Sequence, residues 1–125
     1  MADYSNWKIL VIDDGEDDVE LVLQTLRYYK IEVFTATTGI EALELLVTLR
    51  PTLIVTDLRM PHMDGWTVLT KIRSNPDIAH IPVVAMTAYS SARVKRDMLA
   101  AGFNAFIIKP IRTTDVLATL EEVLA

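Results

Sequence analysis

The sequence predicts an α/β fold in which a parallel sheet is covered by helices on both faces. Three observations predict it. Short apolar runs rich in β-branched residues recur five times, segments with helical apolar spacing alternate strictly with them, and no repeat, low-complexity segment or Pro/Gly-rich linker breaks the alternation. Strict strand–helix alternation implies parallel pairing, because right-handed crossovers carry each helix over the sheet before the next strand.

Taken in order, the apolar runs are Ile9-Leu10-Val11-Ile12, Val33-Phe34, Leu53-Ile54-Val55, Ile81-Pro82-Val83-Val84-Ala85-Met86 and Ala105-Phe106-Ile107-Ile108. All five read as buried strands. The first intervening segment places Val19, Val22, Leu23 and Leu26 on one helical stripe, the second Ala42, Leu43 and Leu46, and the third Val68, Leu69 and Ile72. The fourth, about 91–101, has a thin stripe of Val94, Met98 and Ala101, and Gly102 stands where a left-handed cap would end it. The fifth opens with Thr113 or Thr114 as N-cap and carries Val116, Leu117, Leu120, Val123 and Leu124 at helical intervals.

Composition bounds the function. At 125 residues the chain is expected to form one domain, 1–125 with a core over about 7–125, either standing alone or as a fragment of a larger protein. Its apolar stretches fall short of the ~20 residues that span a bilayer, so no membrane association is expected. The opening residues lack the basic patch and apolar run of a secretory signal, and there is no cysteine; a cytoplasmic location is the expectation. The net charge of −5 argues against direct nucleic-acid binding, which needs clustered Lys and Arg.

In open parallel sheets, ligands gather outside the carboxyl ends of the strands. Reading only those positions gives Asp13-Asp14 after the first strand, Asp57 after the third, Thr87 after the fourth and Lys109 after the fifth. Three carboxylates at one edge repel one another, and a cation relieves that repulsion. With no Cys and no His pair nearby, hard oxygen donors suit Mg²⁺, for which Asp13, Asp14 and Asp57 form a ligand set. Asp57 is then a candidate nucleophile for phosphoryl transfer. Lys109 supplies a mobile positive charge, and Thr87 a hydroxyl donor, for phosphoryl oxygens. Alone, each residue has a plainer role: a solvated acidic loop, a turn cap, a helix cap, a surface lysine. Their joint occurrence at the ends of four strands carries the inference.

These residues resemble the receiver domain family of two-component response regulators, to which the single-domain chemotaxis regulator belongs. The matching segments are Ile9-Leu10-Val11-Ile12-Asp13-Asp14, Asp57 to Gly65, Met86-Thr87-Ala88, Ala101-Gly102-Phe103 and Lys109-Pro110, which together span nearly the whole chain. The resemblance implies a flavodoxin-like, doubly wound (βα)5 fold with five parallel strands in the order 2-1-3-4-5. It implies that Asp57 takes a phosphoryl group from a phosphohistidine on a sensor histidine kinase or a histidine phosphotransfer protein, making the chain a signalling switch rather than an enzyme. It also implies Mg²⁺ bound by Asp13, Asp14, Asp57 and the main-chain carbonyl of Arg59.

By the same resemblance, Thr87 and Lys109 bind phosphoryl oxygens, Ala88 leaves room for the group to enter, and the Lys109–Pro110 bond is cis. Thr87 and Phe106, three residues before Lys109, are the switch pair, with a plain core role as the alternative for Phe106. Arg59 and Tyr89 are the positions that tune phosphoryl lifetime. The output is an altered fourth helix, fifth strand and fifth helix face, read by an effector or a second copy. The charges of Arg93, Lys95, Arg96 and Asp97 on the fourth helix read as a solvated face. His62 and His80 lack a second His at ligand spacing, and Trp66 is expected to pack.

Three other readings share parts of this pattern. A haloacid-dehalogenase-type aspartyl-phosphate hydrolase wants an acid two residues after the nucleophile, where this chain has Arg59. A flavin binder wants a phosphate-accepting loop after the first strand, where Asp13-Asp14-Gly15-Glu16-Asp17-Asp18 would repel an anion. A receiver that signals by binding alone, without phosphorylation, would keep the fold and not the chemistry.

Overall fold

A computed structural model describes residues 3–15, 18–88 and 91–124. Its elements run β1 (Lys8–Ile12), α1 (Asp18–Tyr28), β2 (Glu32–Ala36), α2 (Gly39–Leu45), β3 (Leu53–Asp57), α3 (Gly65–Ser74), β4 (Val83–Thr87), α4 (Ala92–Ala101), β5 (Ala105–Ile108) and α5 (Thr113–Leu124). The five strands form one sheet in the order β2-β1-β3-β4-β5, and every pairing is parallel. Fold class and strand order are as expected.

Alternation along the strands divides the core in two. Leu10, Ile12, Ile54, Val83 and Ala85 face α2, α3 and α4, where they meet Ala42, Leu46, Val68, Leu69, Ile72 and Met98. Ile9, Val11, Leu53, Val55, Val84 and Met86 face α1 and α5, against Val22, Leu23, Leu26, Val116 and Leu120. All residues of β3 and β4 are buried, as the continuous apolar runs require of central strands.

The two edge strands depart from the expectation of full burial. Val33 and Phe34 on β2, and Ala105, Phe106 and Ile108 on β5, are only half-buried, because each of these strands has a neighbour on one side alone. β4 begins at Val83, not Ile81. Pro82 has no N–H to donate, although its carbonyl accepts from Ile54 N–H at 2.9 Å.

Helix ends follow local chemistry. Thr38 caps α2 by accepting from Glu41 N–H at 3.0 Å, while the Glu41 carboxylate accepts from Thr37 N–H at 3.2 Å. Asp64 caps α3 and Ser91 caps α4 in the same way, accepting from Thr67 and Val94 N–H groups. Gly102, at φ +115°, ends α4 in the left-handed conformation; Phe103 N–H reaches Met98 O at 3.1 Å and Gly102 N–H reaches Leu99 O at 3.2 Å. This is a Schellman motif, and Phe103 and Met98 are both buried in the core on the α2, α3 and α4 side of the sheet. α1 ends in the same hydrogen-bond pattern, with Lys30 at φ +59° where a glycine would be less strained.

Two expectations at helix surfaces need correction. Ala101 is exposed, so the buried stripe of α4 reduces to Met98 with Val94 at its margin. α5 starts before either threonine could cap it: Val116 N–H donates to Arg112 O at 3.2 Å, which makes Thr113 the first helical residue. Arg112 Nε instead donates to Asp115 in the first turn at 3.2 Å.

Arg73, which the sequence did not single out, anchors the amino ends of the last two strands. From α3 its guanidinium donates to the carbonyls of Ala79 and Ile81 (3.0 and 2.7 Å), to Gly102 O at 2.8 Å and to Asn104 Oδ1 at 2.9 Å. Asn104 Oδ1 also accepts from Val83 N–H at 2.9 Å. Burial lowers the pKa of this guanidinium from its ordinary value; the fan of carbonyls compensates the cost of holding the charge there. Replacing Arg73 by Met keeps the apolar stem and removes every donor. An expected loss of about 2–3 kcal/mol in urea unfolding follows from the hydrogen bonds to a charged group that disappear.

Candidate functional site

The carboxyl ends of β1, β3, β4 and β5 converge at one edge of the sheet. Asp13 follows β1 directly and its N–H donates to Ala36 O at 3.0 Å, pinning it to the end of β2. Its Oδ1 accepts from Gly15 N–H at 2.8 Å. Gly15 holds φ +99°, a conformation that costs glycine little, and the resulting bend keeps Asp13 and Asp14 over the sheet edge.

Asp57 is the last residue of β3 and Thr87 the last of β4, so both lie within the sheet and not beyond it. Asp13, Asp57 and Thr87 are 3%, 4% and 2% exposed, values ordinary for a core leucine and unusual for acids. Asp57 Oδ1 accepts from Arg59 N–H at 3.1 Å, and Asp57 Oδ2 receives Lys109 Nζ at 3.0 Å. Lys109 follows β5, and its own N–H donates to Thr87 O at 2.8 Å. The Lys109–Pro110 peptide is cis, as expected.

Oxygens of Asp13, Asp14 and Asp57 all lie within 4.8 Å of one another. The Lys109 ammonium pairs with one of these three carboxylates, so when all four groups are ionised these four carry a net negative charge. Asp14 Oδ1 is buried and accepts no hydrogen bond among the described residues. A buried carboxylate oxygen in that condition needs a cationic or donating partner. The donor set is all hard oxygen, and it fits a small divalent cation of the Mg²⁺ type.

α3 approaches this site unusually closely. A Cβ at Gly65 would run into the Asp57 carbonyl oxygen and lie 2.9 Å from Leu58 Cα, and Gly65 N–H donates to Leu58 O at 3.0 Å. Only glycine lets the helix start against the backbone that carries Asp57. The Asp64-Gly65 dipeptide is the sequence signal for this: a helix cap followed by a residue with no side chain.

Of the residues singled out from the sequence, Asp13, Asp14, Asp57, Thr87 and Lys109 come together. Arg59 has an exposed side chain in the loop after β3, and Ala88 is exposed just beyond β4. Phe106 stands half-buried on β5. Tyr89 lies outside the described residues. His62 and His80 are exposed, and neither joins a metal-capable cluster among the described residues. Trp66 packs, its ring edge-to-face with Phe103 at 5.4 Å between centroids. On α4, Arg93, Arg96 and Asp97 are exposed as expected, but Lys95 is half-buried over the Phe106 ring.

Fold and site define a doubly wound α/β protein with an acidic, lysine-paired pocket at the carboxyl edge of its sheet. The chain belongs to the response regulator receiver domain family, which matches residues 9–121. It is 39% identical over 104 residues to the response regulator PleD of Caulobacter vibrioides, covering 83% of this chain and 23% of PleD. It is 36% identical over 109 residues to the two-component response regulator ORR3 of Oryza sativa subsp. indica, covering 86% of this chain and 83% of that one. The chain thus spans about a quarter of PleD and most of ORR3. Among solved structures, the chemotaxis response regulator CheY4 of Vibrio cholerae superposes with a TM-score of 0.88 at 30% identity, covering 94% of this chain and 98% of that one. This is a receiver domain of two-component signalling, and no helix among the described residues is long and apolar enough to cross a membrane.

Gly65→Ala tests the close approach. The added methyl must displace the Asp57–Leu58 backbone or the start of α3, with an expected loss of about 1–3 kcal/mol in denaturant unfolding.

Proposed function

We propose that the chain is a single receiver domain whose Asp57 accepts a phosphoryl group from the phosphohistidine of a sensor histidine kinase or a histidine phosphotransfer protein. The observation that carries this reading is the ion pair between Asp57 Oδ2 and Lys109 Nζ at 3.0 Å, inside a cluster of three carboxylates whose oxygens lie within 4.8 Å. As an Asp57 oxygen bonds to phosphorus, the phosphorus–nitrogen bond to the imidazole breaks and its electron pair leaves with the histidine. Lys109, already beside the acceptor oxygen, stays within reach of the phosphoryl group attached there and offsets its charge. The Thr87 hydroxyl, at the end of the adjacent strand, supplies a donor to a second phosphoryl oxygen. Ala88 presents only a methyl group at the entrance.

Asp13, Asp14, Asp57 and the main-chain carbonyl of Arg59 would hold Mg²⁺. When bound, the ion neutralises part of the carboxylate charge and draws electron density from the phosphoryl oxygens. Arg59, and by its sequence position Tyr89, flank the approach of water and set the lifetime of the phosphoaspartate. Thr87 and Phe106 form the switch: Thr87 moves toward the phosphoryl group and the ring follows. The changed surface is that of α4, β5 and α5, and its readers are a downstream effector or a second copy of the chain.

Intact mass after incubation with Mg²⁺ and acetyl phosphate tests the acceptor. Wild type is expected to gain one phosphoryl group and Asp57→Asn none; a modified Asp57→Asn protein, or an unmodified wild type with Mg²⁺ bound, would refute the assignment. Asp13→Asn removes one metal ligand, and its Mg²⁺ affinity is expected to fall by at least ~10-fold, the lower end for losing even a group behind a ligand. Fluorescence or calorimetric titration measures it. Arg59→Ala is expected to hasten loss of the phosphoryl group while leaving its uptake unchanged, as read by the decay of the phosphorylated mass after donor removal.

A further inference from the structure

Phe106 lacks the hydroxyl with which a tyrosine could fix its ring by a hydrogen bond. Lys95 meets the ring instead: its Nζ lies 5.6 Å from the ring centroid, inside the ~6 Å range of a cation–π attraction. Lys95 is half-buried, while Arg93, Arg96 and Asp97 on the same helix are exposed. Its ammonium is therefore turned from the solvated face of α4 toward β5, with the methylene stem covering apolar surface.

Register places this contact next to the phosphorylation chemistry. Phe106 pairs with Ala85 and Ile108 with Thr87, so Phe106 and Thr87 project from the same face of the sheet as diagonal neighbours on adjacent strands, flanked by Ala85 and Ile108. The two ends of α4 are held differently. Its carboxyl end is fixed by the Gly102 cap and by Arg73, whose guanidinium reaches Gly102 O at 2.8 Å. Nearer its amino end, Val94 borders an open groove of about 640 Å³ that it shares with Leu58, Met60 and Trp66. The Lys95–Phe106 contact ties this less constrained half of the helix to β5.

We infer that Lys95 is the positioning residue of the Phe106 switch, a cation–π latch that holds the ring beneath α4 and opposes its movement toward Thr87. The resting affinity of the α4–β5 face for its partner then depends on a cation at position 95. This rests on the reading of Asp57 as acceptor and Phe106 as the moving ring. The strength of a partly exposed cation–π pair corresponds to about a 2- to 5-fold bias in the ring equilibrium.

The test uses the full chain carrying fluorophenylalanine, which gives three ¹⁹F resonances, one for each phenylalanine. The Phe106 signal is assigned by its loss in Phe106→Leu. Beryllofluoride with Mg²⁺, a phosphoryl mimic, defines the switched position of that signal. Without the mimic, Lys95→Met is expected to move the Phe106 signal toward the switched position and to speed phosphorylation by acetyl phosphate by the same about 2- to 5-fold. Lys95→Arg, which keeps the cation, is expected to match wild type, and Lys95→Met in a Phe106→Leu background to leave the rate unchanged. A Phe106 signal unmoved by Lys95→Met, a failure of Lys95→Arg to restore wild-type behaviour, or an equal rate change without the Phe106 ring each overturns the latch. A wild-type ring that ignores beryllofluoride while Asp57 becomes phosphorylated overturns the latch and leaves the acceptor standing. A ring that moves in Lys95→Met while Asp57 takes no phosphoryl group does the reverse.

Discussion

Three buried or half-buried carboxylates crowded at one edge of a sheet, with Lys109 paired to one of them, form the constraint around which this structure is arranged. Acids at this depth are costly unless their oxygens are engaged. The backbone meets part of that demand: Gly15 N–H donates to Asp13 and Arg59 N–H to Asp57. Lys109 meets another part, from a strand two positions away in the sheet. An oxygen of Asp14 that has no donor among the described residues completes a pocket suited to a cation. Stability is therefore set aside locally for a site that gains from added positive charge.

The opposite end of the sheet is arranged differently. Arg73 gathers carbonyls from the segment before β4 and from the end of α4, together with the Asn104 side chain before β5. One cation surrounded by neutral acceptors is a satisfied network, and it fixes where β4 and β5 begin. With those strands anchored at their amino ends, the positions of Thr87 and Lys109 at the carboxyl ends follow from strand length. Gly65 does comparable work at the front, where the absence of a side chain lets α3 start against the Asp57 backbone.

Between these two ends lies α4, whose buried stripe is little more than Met98. A helix with so few apolar contacts is capped at both ends, by Ser91 and Gly102, and is tied to its surroundings by contacts through individual side chains such as Arg73 to Gly102. That is the kind of element whose position a small change in charge nearby can shift, because little packing energy opposes the movement. The half-buried Phe106 and the lysine above it stand where such a shift would be felt.

The sequence by itself determined the order of elements, the parallel sheet and the gathering of Asp13, Asp14, Asp57, Thr87 and Lys109, because strand periodicity and strand ends are local properties of the chain. It also marked Gly102 as a helix end, since a glycine after an apolar stripe has few other uses. It overstated burial at Val33, Phe34 and Ala105, because an apolar run does not reveal whether its strand is central or at an edge. It took Thr113 or Thr114 for a cap because threonine has the right side chain, whereas the observed start is set by the Arg112 carbonyl. Only the tertiary structure decided the role of Arg73 and the contact between Lys95 and the Phe106 ring. Arg73 acts on a carbonyl 29 residues away, at Gly102, and no local pattern records which carbonyl or ring of another element a side chain will meet.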